Sequence, residues 1–279
     1  MLPNLVAVAV FLAFPLIFSL YLSLTNWELL TPPTWAGLAN YVDLFADPLF
    51  WTALWNTALF TIGSVVPIIV LSLLSALALN QKLFGIGFFR AVVFLPLVAS
   101  TVAMAVIWMW LFNTDNGLLN WLLSLAGVEQ IGWLTDPHWA LISLIIVSVW
   151  KGVPLSTVIL LAAVQNVPDR LYDAASLDGA GVVRKFFAIT LPMIRPTIAF
   201  VLVISIIQSF QVFDLAYVMT NGSGGPGTST YVLGIMVFQH AFRFYEMGYA
   251  AAIQWVVFLI LLGLTYIQLR LSRSAEDDL

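Results

Sequence analysis

Lys151 and Asp214 are the residues of this sequence that first invite chemistry, because each interrupts an apolar run holding no other charge. Lys151 lies within Trp139 to Gln165, and Asp214 within Thr197 to Thr220. A charge at a bilayer centre costs ~2.5–3.5 kcal/mol on insertion scales, so such groups face a bundle interior or a water-filled path. Around Asp214 stand Ser205, Gln208, Ser209 and Gln211, and Ser205, Gln208, Ser209 and Val212 follow helical spacing on one stripe. Hydroxyls, amides and an ion of each sign can hold a polyhydroxylated or an anionic solute. They can equally hold one another: serine and glutamine bind membrane helices together, and Lys151 can pair with Asp214.

A second concentration of polar chemistry runs from Asp169 to Pro196, with four of the ten basic and three of the fourteen acidic residues. Pro168 and Asp169 mark a helix start. Leu171, Ala174 and Ala175 share one face of that helix, which Gly179 and Gly181 end. Val182, Val183, Phe186, Phe187 and Thr190 predict a second short helix, with Pro192 and Pro196 bracketing its exit into the next apolar run. Small alanines beside an apolar knob and flanking charges suit two roles, an anchor in lipid headgroups or a docking element for a soluble partner.

Other chemistries find no support. The chain has no cysteine, and its two histidines, His138 and His240, are too few for a metal cluster. No serine, histidine and carboxylate group into a catalytic set. No phosphate-cradling G-x-x-x-x-G-K-[ST] is present, so the chain has no ATP site of its own. "GSGGPG" at Gly222 to Gly227 fits a dinucleotide pattern formally, but it follows a membrane run and reads as a loop turn.

The elements that must position these groups follow from composition. Of 279 residues, 62% are hydrophobic and 9% charged, against roughly 25% charged in a soluble domain. Charge-poor runs predict six membrane helices near 5–24, 54–79, 91–112, 139–165, 197–220 and 247–269, each meeting the ~20 residues a span requires. The fold class is therefore all-α and polytopic, since helices satisfy their own backbone in lipid and no alternating barrel strands occur. The first run lacks the basic start of a signal peptide and reads as a retained span. With both termini cytoplasmic, Lys82, Arg90, Arg170, Arg184, Lys185, Arg195, Arg270 and Arg273 fall inside, eight of the ten basic residues. Residues 166–196 then form the longest cytoplasmic loop. Nine tryptophans gather near the outer face as an aromatic belt, with Trp108 and Trp110 open to sugar stacking, and "GLLNWLLSL" at Gly117 to Leu125 reads as an interfacial cap.

The loop resembles the segment that identifies permease subunits of bacterial ATP-binding-cassette importers. That pattern is EAA, three residues, Gly, nine residues, Ile, any residue, Leu-Pro. It stands here as Asp173-Ala174-Ala175, Gly179, Ile189 and Leu191-Pro192, with both spacings kept and Asp173 replacing glutamate. The resemblance implies that Asp173, Ala174, Ala175, Asp178, Gly179, Ile189, Leu191 and Pro192 belong to a coupling element that docks on an ATPase subunit. "FPLIFSLYLSLTNW", "GFFRAVVFLPLVAS" and "FQVFDLAYVMTNGSGGPG" are similar to the carbohydrate-uptake branch, although relatives usually begin with a basic segment that is not seen here.

By the same resemblance, a type I importer permease fold is expected as a single domain over 1–279. Carried over from the maltose-transporting member by position, the solute path falls on Ser148, Lys151, Gly152 and Leu155, then Ser205, Gln208, Ser209 and Val212, with Asp214 beside them. The expected partners are a second permease subunit, two ATPase subunits, an extracytoplasmic solute-binding protein and membrane lipid, with no nucleic acid. ATP and magnesium are expected on the ATPases, with no cofactor or metal on this chain. The competing class is a self-contained ion-coupled transporter, which predicts inverted repeats with broken helices, and no such repeat is found.

Overall fold

The computed structural model describes residues 2–81 and 84–274; Lys82 lies outside the described residues. The helices, numbered in chain order, are α1 (Asn4–Ser23), α2 (Ala39–Ala46), α3 (Pro48–Leu79), α4 (Ile86–Val98), α5 (Thr101–Leu111), α6 (Leu118–Leu125), α7 (Pro137–Gln165), α8 (Asp169–Leu177), α9 (Val182–Phe210), α10 (Asp214–Met219), α11 (Leu233–Phe238) and α12 (Met247–Arg270). Five of them, α1, α3, α7, α9 and α12, are long and apolar enough to span, and α4 with α5 makes a sixth, bent by 104°. A two-residue ribbon, Thr25–Asn26 against Thr34–Trp35, closes the connection between α1 and α2.

Two of the long helices start on the same device. Asp47 and Asp136 each accept a backbone N–H two residues on, from Leu49 and His138, and proline follows each as the first helical residue. These caps explain why α3 and α7 begin earlier than the apolar runs 54–79 and 139–165. That His138 N–H, together with the imidazole of the same residue, holds the Asp136 carboxyl below its ordinary value.

The centre of the bundle is the α3–α7 pair. Glycine lets these helices close on each other: a Cβ at Gly63 would lie 2.6 Å from Ile145 Cδ1, and one at Gly152 would lie 2.6 Å from Ile68 Cδ1. Without a hydrophobic drive between helices in lipid, close backbone approach and interhelical hydrogen bonds supply the attraction. Ser72 donates to the Val153 carbonyl at 3.1 Å, and Ser64 meets Ser209 of α9 at 3.1 Å. On the flank, α1 packs on α12, where Trp255 Nε1 donates to Ser19 Oγ at 3.2 Å. Gln268 of α12 reaches the Ala199 carbonyl of α9 at 2.9 Å.

Three expectations need correction. The run 91–112 is not one straight span, because Ala99 and Ser100 are extended and split it into α4 and α5. Hydropathy cannot register such a break, since no charge marks it. The run 197–220 likewise ends as a helix at Phe210, and α10 follows after an irregular 211–213. The second short loop helix is no separate element: Val182 to Thr190 is the amino-terminal start of α9. A π turn over Phe186–Thr190 sits just ahead of Pro192, where a proline ring would meet the carbonyl one α-turn back.

The connections around α6 and between α10 and α11 cover one end of the bundle. Asn120 of α6 is buried and binds Thr114, Ile131 and the Trp133 indole, so "GLLNWLLSL" is pinned down by its one amide. Asn56 of α3 donates to the Thr228 and Tyr231 carbonyls, and Thr57 accepts from Leu233 N–H, fixing the loop between α10 and α11. Burial pushes the Tyr231 phenol up to about 12, with the Asp47 charge adding to it.

Candidate functional site: a central cavity and a docking loop

The irregular stretch 211–213 turns the chain between α9 and α10 and opens a cavity of about 340 Å³ among α7, α9, α10 and the α4–α5 break. Ser148, Lys151, Gly152 and Leu155 line it from α7, Ser205, Gln208, Ser209 and Val212 from the α9 side, and Asp214 from the start of α10. All nine residues placed on the solute path by sequence thus meet around one space.

Their individual settings differ. Lys151 Nζ donates to Thr101 Oγ1 at the first turn of α5, tying α7 to the broken third span. It forms no ion pair with Asp214, although both charges line the same cavity. Ser209 is 5% exposed and its hydroxyl is held by Ser64, so it acts as helix glue. Gly152 is a packing residue, given the Ile68 methyl against it. Gln208, Gln211 and Asp214 are exposed to the cavity. Thr101 also lines it and was not named from the sequence, and Gln211, named there beside Asp214 but left off the solute path, lines it too. The adjacent polar pair Ser100-Thr101 inside an apolar run was the available signal for the first of them. Trp108 and Trp110 do not line this cavity; Trp108 instead packs its ring on Phe112 and Trp150, at 5.2 and 5.7 Å.

The loop residues gather beyond the carboxyl end of α7. α8 carries Asp173, Ala174 and Ala175, and Asp178 caps its carboxyl end. The helix stops in a left-handed turn: Gly179 has φ +75°, its N–H bonds the Ser176 carbonyl at 3.1 Å, and Ala180 N–H reaches back to Ala175 at 2.8 Å. Only glycine adopts this conformation without a Cβ penalty. Lys185 Nζ to Ser176 Oγ (2.5 Å) and Tyr172 to Thr190 (2.8 Å) hold α8 against the start of α9. Ile189 and Leu191 are half-buried at that seam and Pro192 follows the π turn. Leu177, Val182 and Val183 project beyond it, 90%, 85% and 70% exposed, with Asp173 and Asp178 exposed on α8 beside them. This is an apolar knob with acidic neighbours on a rigid two-helix support.

A family model described as "Binding-protein-dependent transport system inner membrane component" matches residues 44–275, which include both the cavity and the loop. The chain belongs to this family. It is the multi-pass permease subunit of an ABC importer, a transport subunit and not an enzyme. The permease is 38% identical to the probable ABC transporter permease protein YurN of Bacillus subtilis, covering 98% of this chain and 96% of that one. It is 36% identical to the lactose transport system permease protein LacF of Rhizobium radiobacter, over 98% and 93%. Its fold matches a chain of a bacterial alginate ABC transporter, crystallised in complex with alginate pentasaccharide-bound periplasmic protein, at a TM-score of 0.84 and 25% identity, over 98% and 92%. The fold is accordingly the all-α type I importer permease, and the family excludes the self-contained ion-coupled alternative.

Proposed function

We propose that this permease passes a sugar or sugar-like solute through the cavity at the α9–α10 break, and that the loop 166–196 couples this passage to ATP hydrolysis elsewhere. The convergence of Lys151, Gln208, Gln211 and Asp214 on one cavity at membrane depth is the observation that carries the reading. Among the described residues no side-chain hydrogen bond reaches Gln208, Gln211 or Asp214, and such groups there need water or a hydroxylated solute. Lactose and alginate are named for two of the similar transporters, which supports the saccharide class. A second permease subunit completes the membrane unit, two ATPase subunits hold ATP and magnesium, and an extracytoplasmic binding protein delivers the solute.

The test begins with the binding protein that works with this permease. A ligand-shift screen identifies its solute, and the complete transporter in proteoliposomes is then offered that solute with ATP. Accumulation of a saccharide or glycoside, with ATPase activity rising on addition of loaded binding protein, is the expected result. A solute of another class, such as an amino acid or a metal ion, rejects the sugar reading.

Both termini are placed in the cytoplasm, with residues 166–196 on the same side. The absence of native cysteine makes this directly measurable. Gly181→Cys and Ser223→Cys are both at exposed positions, and a Cβ at Gly181 meets nothing within 4 Å. An impermeant thiol reagent added outside intact cells labels Ser223→Cys alone. Labelling of both variants from one face would break this topology.

A further inference from the structure

On the other side of the 211–213 break lies a second cavity, of about 420 Å³, between the end of α9, α11 and α12. Gln211 and Phe213 line both cavities, so the irregular stretch is their common wall. The second adds Phe238, Phe242 and Gln254. Gln254 is the eighth residue of α12, roughly 10 Å along the helix at 1.5 Å per residue, and is exposed to the cavity. Among the described residues, no side-chain hydrogen bond reaches Gln211 or Gln254. Amides at this depth are left with water or a solute for partners.

The rings form a track. Phe213 lies 5.2 Å from Tyr217 and 5.0 Å from Phe238, and Phe238 lies 5.3 Å from Phe242. Phe242 is 60% exposed at the outward end. An aromatic face beside carboxamides is what a sugar ring requires. Its C–H face lies against the ring, and adjacent hydroxyls exchange hydrogen bonds with the amide oxygen and nitrogen. Each cavity also falls within the ~300–1,000 Å³ typical of small-molecule sites.

We infer that the second cavity is a further saccharide subsite, with Gln254 and Gln211 as hydrogen-bonding groups and Phe213, Phe238 and Phe242 as stacking platforms, so that the permease carries a solute of two or more linked rings. The inference rests on the sugar-path reading of the first cavity and extends it. Phe213 stands between the subsites, where it contacts the linkage between neighbouring rings.

The experiment uses the complete transporter in proteoliposomes with single-cysteine variants of this chain, read on the separated subunit. The probes are a glucosyl methanethiosulfonate and an alkyl methanethiosulfonate of the same length. Only a thiol with access to water ionises and reacts readily. Gln254→Cys and Gln208→Cys both react with the glucosyl reagent, whereas Leu259→Cys, exposed on α12 outside the cavity, does not. Adding Phe242→Ala slows the glucosyl reaction at Gln254→Cys by roughly two- to tenfold, the loss of one ring contact, and spares the alkyl reaction. Reaction at Gln208→Cys without reaction at Gln254→Cys overturns the second subsite alone and leaves the first standing. Reaction at neither position rejects the solute-path reading itself. A Gln254→Cys reaction indifferent to Phe242, or equally fast with both reagents, shows a wet apolar cleft and likewise overturns the subsite.

Discussion

Asp173→Lys is expected to uncouple the permease from its ATPase while leaving it inserted in the membrane. Asp173 is exposed on α8 and lies outside every membrane helix, so its replacement removes no packing. If the receiving cleft offers a basic group, the change loses a charge-assisted contact and sets like charges together. Losing such a contact costs about 1.5–3 kcal/mol, a roughly ten- to hundredfold fall in association. Gly179→Val attacks the same element by another route. A Cβ at Gly179 meets nothing within 4 Å, so crowding is not the mechanism. The cost is a branched residue at φ +75°, where an L-residue pays ~1–2 kcal/mol and a β-branched one more. The left-handed stop would open, and α8 would lose its fixed seat against the start of α9. Asp173→Glu restores the pattern's residue and keeps coupling; Gly179→Asn, tolerated in left-handed caps, keeps more of it than Gly179→Val. Copurification with the ATPase and stimulation by loaded binding protein are the measurements. Unchanged values for Asp173→Lys and Gly179→Val together would make the loop a lipid anchor.

What the sequence disclosed and what it withheld divide along physical lines. Charge-free runs located the spans because burying a charge in hydrocarbon is expensive, and Lys151 and Asp214 stood out against them for the same reason. The start of α3 was placed late because Trp51, Thr52 and Trp55 interrupt the apolar pattern over its first two turns. The Asp-Pro pairs at 47–48 and 136–137 were the better signal, being caps with a definite hydrogen bond. No charge marks the 104° bend at Ala99–Ser100, and its trace in the sequence is limited to Pro96 and the polar pair Ser100-Thr101. Gln254 was invisible for a related reason. An uncharged amide in an apolar run looks like interhelical glue until the fold shows a cavity in front of it. Gly179 was the opposite case: its place in a short motif and its left-handed backbone express one constraint, a helix that must stop and turn within two residues.

Lys151→Met is expected to depress uptake severely without lowering the amount of assembled transporter. Lysine is costly in a span, so a methionine of similar length removes an unfavourable charge and keeps the volume. If Lys151 served only to pin α7 to Thr101 of α5, its loss would loosen the bent third span, and the assembled complex would become less stable. The two roles therefore differ in sign on stability, and thermal melting of the purified complex separates them. As a solute contact, a charged donor contributes about 1.5–3 kcal/mol, so uptake falls roughly ten- to hundredfold. Thr101→Val provides the control, because it removes the acceptor and leaves the ammonium free in the cavity. Uptake should then be largely retained if the solute itself takes up the lysine's hydrogen bonds. Lys151→Glu places a second carboxylate in the cavity with Asp214, which is exposed at the start of α10. Its effect should exceed that of Lys151→Met for an anionic solute, since repulsion is added to the lost contact. For a neutral sugar Lys151→Glu should lose no more uptake than Lys151→Met, because a carboxylate can still accept from hydroxyls. Normal uptake in Lys151→Met with a lowered melting temperature would reduce Lys151 to a structural pin and leave Gln208 and Gln211 as the groups that meet the solute.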